Sequence, residues 1–101
     1  MKILFIHPIF LGQYVYIVQR LAKRGGHQMV ALGINPLDQS RDISDQLQHF
    51  RYPLQRGNTK GVHPLVMETE TKVIRAEACV SAAEQLKKKG FEPDLICAHP
   101  G

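Results

Sequence analysis

Two stretches of the chain, ILFIHP at residues 3–8 and LICAHP at residues 95–100, end in the same way. Each has four apolar residues without polar alternation, which is typical of a parallel strand covered by helices on both faces. Each then continues into a histidine and a proline, and the proline keeps the preceding histidine in extended backbone. Ligands of open parallel sheets bind outside the carboxyl ends of the strands. The two stretches therefore predict one sheet edge that carries both His7 and His99.

The rest of the chain predicts an α/β fold with a Rossmann-like parallel sheet and helices on both faces. Apolar residues at helical spacing predict helices over 13–24 and 65–89, and shorter runs predict strands over 29–32 and 49–52. Right-handed crossovers then give the strand order 3-2-1-4. The apolar stripe expected on the second helix consists of Val73, Ala76, Val80, Ala83 and Leu86.

Composition restricts the classes of partner. The 101 residues form one small domain or part of a larger one, and the formal net charge of +4 favours anionic ligands. Nucleic acid is the least supported partner, because no recognition motif accompanies the charge. Cys79 and Cys97 form no Cys-x-x-Cys pair and are expected in the core. The opening apolar run is too short for a signal peptide or a membrane span, which predicts a reducing cytoplasm.

The two histidines at the predicted edge are candidate binding residues. A histidine titrates near neutrality, so it can hydrogen-bond a sugar hydroxyl or a phosphate, or move a proton. Each could equally be a strand terminator. Two histidines without a carboxylate or thiolate at workable spacing make an incomplete metal site, so no metal is predicted. Arg56, Lys60 and His63 follow the third strand on the same edge and could neutralise an anion, or could be solvated loop charges.

The loop after the first strand contains Gly12, near the amino end of a helix, where free amide groups attract a phosphate. A simple turn glycine is the alternative. The loop lacks the G-x-G-x-x-G spacing, and no carboxylate follows the second strand to hold a ribose, which argues against NAD or FAD. No cofactor is predicted.

Four segments together resemble the amino-terminal region of family 4 glycosyltransferases: KILFIHP at 2–8, FLGQ at 10–13, RGGH at 24–27 and PDLICAHPG at 93–101. The resemblance is strongest to bacterial members whose first loop reads FPGQ and whose fourth strand ends in HPG. Leu11 departs from the usual proline, and two glycines stand where one is customary after the first helix.

This resemblance implies a GT-B enzyme of two Rossmann-like domains that transfers a sugar from a nucleotide-sugar co-substrate, with retention and without metal. Residues 1–101 would be the first half of its amino-terminal domain, without the carboxyl-terminal nucleotide-sugar domain, and inactive in isolation. The implied site consists of His99 as the catalytic residue, Gly12 and Gln13 at the donor phosphate and acceptor loop, and His7, Arg56, Lys60, His63 and Gly101 as rim and acceptor candidates.

Several alternatives stay open at this point. A small non-catalytic α/β domain that binds an anionic ligand or a partner protein would show the same edge. The acceptor is a glycan, a lipid or a small molecule, and peripheral contact would place the protein at the inner membrane surface. Strand four would be an apolar sheet edge, which predicts self-association of the chain through residues 94–98.

Overall fold

The structure, a computed structural model, describes residues 1–7, 14–34 and 47–99. Its elements follow in the order β1 (Lys2–Ile6), α1 (Val15–Arg24), β2 (Gln28–Gly33), β3 (Leu47–Arg51), α2 (Pro64–Lys88) and β4 (Leu95–Ala98). The predicted third strand begins two residues earlier than expected. The start expected for the first helix, at residue 13, lies outside the described residues.

The four described strands form one parallel sheet in the order β3-β2-β1-β4, as the crossover rule predicts. The strand β1 lies between β2 and β4, with Ile6 opposite Leu32 on one side and Ala98 on the other. This register aligns the carboxyl ends of β1, β2 and β4 at one edge of the sheet.

The two helices cover opposite faces of this sheet, because successive strand residues point to opposite sides. The cluster under α1 consists of Ile3, Phe5, Met29 and Ala31 with Val15 and Val18 of the helix. The cluster under α2 consists of Leu4, Val30, Leu32 and Tyr52 with Ala78, Leu86 and Phe91. The predicted α/β Rossmann-like fold is therefore confirmed.

Local chemistry sets the ends of both helices. Lys23 and Arg24 occupy the last turn of α1, where their positive charges interact favourably with the negative end of the helix dipole. Gly25 follows with a φ of 72°, which ends the helix. Before α2, Nδ1 of His63 accepts a hydrogen bond of 3.2 Å from the Leu65 amide and so caps the helix that Pro64 opens. The predicted bounds of α2 were one residue late at each end.

The predicted apolar stripe of α2 was wrong for most of its members. Val73 and Val80 are 51% and 57% exposed, and Ala76 is also exposed, whereas Ile74 and Ala78 are buried. Ala83 is half-buried and only Leu86 of that stripe is buried. The reason is that α2 carries apolar residues on both sides, so its periodicity does not select the face that meets the sheet.

Candidate functional site

The two predicted histidines meet at the carboxyl edge of the sheet. The His7 amide donates a hydrogen bond of 3.1 Å to the Leu32 carbonyl oxygen, and the His99 amide donates one of 2.9 Å to the Ile6 carbonyl oxygen. Both residues therefore extend the strand ladder by one position. Their imidazole rings are stacked, with centroids 5.0 Å apart and planes 18° from parallel. Similar strand endings in the sequence thus led to the correct spatial pair.

The two rings differ in their surroundings. His7 is buried, with 8% of its surface exposed, whereas His99 is half-buried. An imidazole can donate a hydrogen bond from one ring nitrogen and accept one at the other. Of the pair, His99 is therefore the ring that a ligand can reach, and His7 lies behind it.

Sequence reasoning missed Tyr14 as a member of this site. Tyr14 precedes the first turn of α1, and its ring meets the His7 ring edge-on at 6.3 Å and 88°. The same tyrosine packs against Phe5 at 5.3 Å. Burial, and next the nearby Cys97, raise the pKa of the Tyr14 phenol, so it stays neutral at physiological pH. Its position two residues after Gly12 was a signal in the sequence, but the sequence analysis treated it only as part of the helix predicted over 13–24.

Three further candidates lie in the segment between β3 and α2, and two of them have local partners. The Arg56 guanidinium lies 3.6 Å from the Glu77 carboxylate of α2. His63 caps α2 through its Nδ1. Lys60 is exposed in the same segment. The structure therefore gives Arg56 and His63 structural contacts, and their role toward a ligand stays a prediction.

Side-chain hydrogen bonds fasten that segment to α2. The Thr59 amide and hydroxyl donate to the two carboxylate oxygens of Glu70 at 2.6 and 2.7 Å. The Asn58 amide group donates to the Met67 carbonyl oxygen at 3.1 Å and to the Thr71 hydroxyl at 2.8 Å. The Thr59 hydrogen bonds hold the pKa of the Glu70 carboxyl below its ordinary value. The segment is thus fixed by contacts within the protein.

The remaining candidates, Gly12, Gln13 and Gly101, lie outside the described residues. Within the described residues, no group of three or more histidine, cysteine, aspartate or glutamate side chains could hold a metal ion. Neither α1 nor α2 is long and apolar enough to cross a bilayer.

The two cysteines pack on opposite faces of the sheet, and both are free thiols. Cys97 contacts the cluster under α1, whereas Cys79 contacts the cluster under α2, to which Tyr52 belongs. Burial, followed by the interactions with Cys79, raises the pKa of Tyr52 to about 12. Both cysteines therefore serve packing, as the sequence predicts.

Comparison with protein families identifies the family of this chain. Residues 25–101 match the model of the glycosyl transferase family 4 group. The match covers more than half of the chain and includes β2 to β4 and His99. The chain therefore belongs to the glycosyl transferase family 4 group. Neither the curated proteins nor the solved structures that were compared with the chain gave a match.

Proposed function

We propose that this chain is the first part of the amino-terminal domain of a retaining glycosyltransferase, which transfers a sugar from a nucleotide-sugar donor without a metal ion. Membership of the family assigns glycosyl transfer as the reaction class. The proposed location of the site rests on one observation, the stacked pair of His7 and His99 at the carboxyl edge of the parallel sheet. In open α/β sheets this edge is where ligands bind.

His99 is the proposed catalytic residue, because its half-buried ring is the accessible member of the pair. A ring nitrogen of His99 would hydrogen-bond a hydroxyl of the transferred sugar. In this contact the ring nitrogen accepts and the sugar hydroxyl donates. The positive charge that develops on the sugar as the donor bond breaks makes the hydroxyl a stronger donor, so the contact lowers the barrier more than it tightens binding. Gly12 and Gln13, before α1, are proposed to approach the donor phosphate with main-chain amides.

The segment from residue 53 to 63 is proposed to lie near the acceptor, whether a glycan, a lipid or a small molecule. Its exposed Lys60 supports this role, because it extends from a segment that Thr59 and Asn58 hold against α2. A cation on a fixed segment attracts an anionic acceptor without the entropic cost of ordering a loop. A cytoplasmic location is proposed together with this function.

The test uses the transferase that contains this chain and a panel of nucleotide-sugar donors. Release of the nucleoside diphosphate is followed with and without acceptor, and the anomeric configuration of the product is read by NMR. We expect His99→Ala to lower kcat by roughly tenfold to a hundredfold, the loss of one hydrogen bond to a charged group. His27→Ala is the matched control, because His27 lies before β2 at the opposite edge of the sheet.

Two results would contradict this proposal separately. Unchanged kinetics in His99→Ala would remove His99 from the site. An inverted product would remove the retaining mechanism while leaving glycosyl transfer in place.

A further inference from the structure

The side of α1 that faces away from the sheet combines positive charge with exposed apolar surface. Val15 and Val18 pack against the sheet. Because a helix turns by about 100° per residue, the exposed residues of α1 fall within one arc of about 120° on the opposite side. These five residues, which form the outer face of α1, are Tyr16, Ile17, Arg20, Lys23 and Arg24. Tyr16 is 76% exposed and Ile17 is 51% exposed.

The three cations of the outer face stand in a part of the sequence that contains no acidic residue. The first acidic residue of the whole chain is Asp38, well after the end of α1. The run from Lys87 to Lys89 differs in this respect, because Glu84 precedes it and Glu92 follows it. Surface helices usually mix charges of both signs, whereas charges of one sign on one face attract ions of the opposite sign. The outer face of α1 therefore suits an anionic partner.

The two apolar side chains narrow the class of that partner. Contact with phosphate groups alone gives no use to Ile17, and a stable protein partner would need about 20–30 residues of interface where this face offers five. Cations beside an exposed tyrosine and an exposed isoleucine are typical of a helix that lies in a membrane interface. Lipid headgroups supply the anions there, and the upper acyl chains accept the apolar side chains.

We propose that the outer face of α1 binds the surface of a bilayer that contains anionic lipid. Tyr16 and Ile17 insert between the headgroups, and the three cations lie at the lipid phosphates. Each cation near an anionic surface strengthens partition by roughly fivefold, so three of them give a preference of roughly a hundredfold over a neutral bilayer. Binding of this size is weak and reversible, and it does not depend on the proposed function.

The outer face begins near the candidate site. Tyr14 immediately precedes α1, and its ring meets the His7 ring at 6.3 Å. Tyr16 follows two residues later, so the apolar end of the outer face lies at the carboxyl edge of the sheet. Contact with a bilayer would hold that edge near the headgroups, where a lipid acceptor is found. This last consequence, unlike the binding itself, rests on the proposed function.

The first experiment measures binding of the 101-residue chain to sedimented vesicles. Vesicles of phosphatidylcholine alone are compared with vesicles of equal parts phosphatidylcholine and phosphatidylglycerol. We expect binding to the mixed vesicles, and we expect added salt to weaken it by screening the charges. Arg20→Glu combined with Arg24→Glu should weaken the binding by more than roughly twentyfold, since two attractive charges become repulsive.

A matched control changes the net charge by the same amount on the other side of the sheet. Lys87→Glu combined with Lys88→Glu replaces two exposed cations of α2, in the last turn of that helix. This variant should keep most of the binding. Circular dichroism checks that both double variants are folded.

The second experiment measures insertion of the outer face. The chain contains no tryptophan, so Tyr16→Trp introduces a single fluorescent reporter. Its emission should shift to the blue with the mixed vesicles, because the indole enters a less polar environment. Val80→Trp places the same reporter at an exposed position of α2 and should show no shift.

The outcomes decide the inference without any measurement of sugar transfer. Equal binding to neutral and mixed vesicles, or equal losses in the two double variants, would overturn it, because the cations of α1 would then have no special role. Vesicle binding without a blue shift of Tyr16→Trp would overturn the insertion of this face. Tighter binding of a single-stranded DNA oligonucleotide than of the vesicles, lost in the variant of Arg20 and Arg24, would overturn the inference by assigning the face to nucleic acid.

Discussion

The orientation of α2 predicts very different losses of stability for two adjacent substitutions, Ile74→Ala and Val73→Ala. Ile74 is 4% exposed and Val73 is 51% exposed. Truncating a buried isoleucine to alanine costs about 2–5 kcal/mol, the lost burial plus the cavity. Alanine's better helix propensity returns at most about 0.7 kcal/mol. We therefore expect Ile74→Ala to destabilise the chain by about 2–4 kcal/mol, a large part of the 5–15 kcal/mol typical of a domain.

For Val73→Ala the two effects are similar in size. Half of the valine surface is already in water, so the lost burial is about 1 kcal/mol, and the gain in helix propensity offsets much of it. We expect a change within about 0.5 kcal/mol.

The assay is urea unfolding followed by circular dichroism. With a slope of about 1–3 kcal/mol per molar urea, Ile74→Ala should lower the midpoint by roughly 1–3 M and Val73→Ala by a small fraction of that. The pair Leu86→Ala and Val80→Ala repeats the comparison about two to three turns further along the helix, because Leu86 is buried and Val80 is exposed. A larger loss in Val73→Ala than in Ile74→Ala would refute the orientation of α2.

Three further predictions concern other parts of the molecule. Burial raises the pKa of Tyr52 to about 12, so the folded state favours the neutral phenol. The neutral phenol's contribution to the free energy of unfolding is complete below about pH 10 and is lost as the pH rises through about 12. Ionisation of Tyr52 should lower the free energy of unfolding by something on the order of 2–3 kcal/mol. At high pH, the free energy of unfolding should therefore fall less steeply with pH in Tyr52→Phe than in the native chain. Equal slopes for the two proteins would contradict this prediction. The chain should also self-associate through β4, an edge among the described strands where Ile96 is 55% exposed. Light scattering should show a dimer that Ile96→Lys abolishes and Val80→Lys, on the outer face of α2, does not; a monomer at high concentration would count against it. Finally, the purified 101-residue chain should transfer no sugar, because catalysis needs the donor and the reacting groups held together; measurable turnover would show that the chain suffices.

The sheet and the histidine pair could be predicted because the relevant signals are local. Four consecutive apolar residues identify β1 and β4, and the crossover rule then leaves one strand order. The predicted end of the first helix, at residue 24, and the predicted start of the second, at residue 65, lie within one residue of those observed. A proline after each histidine gave the strand ends that bring His7 and His99 together.

The remaining features depend on tertiary contacts that no local pattern contains. The sheet-facing side of α2 is selected by shape and by contact with Tyr52 and Phe91, because both sides of the helix are apolar. Tyr14 became a site residue only when the fold brought β1 and α1 together. The hydrogen bond between Thr59 and Glu70 depends on the path of the chain after β3. The amino-acid composition of that loop does not determine this path.

The register of β1 against β4 has a consequence for how this site tolerates change in length. His7 and His99 come from opposite ends of the chain, and they meet because Ile6 lies opposite Ala98. Residues inserted in the exposed segment 53–61 would leave that pairing intact. One residue deleted within β4 would turn the histidine to the α2 side of the sheet and separate the rings, with little change in composition. Chains of quite different lengths could thus share this pair of imidazoles, provided that both strands keep their number of residues.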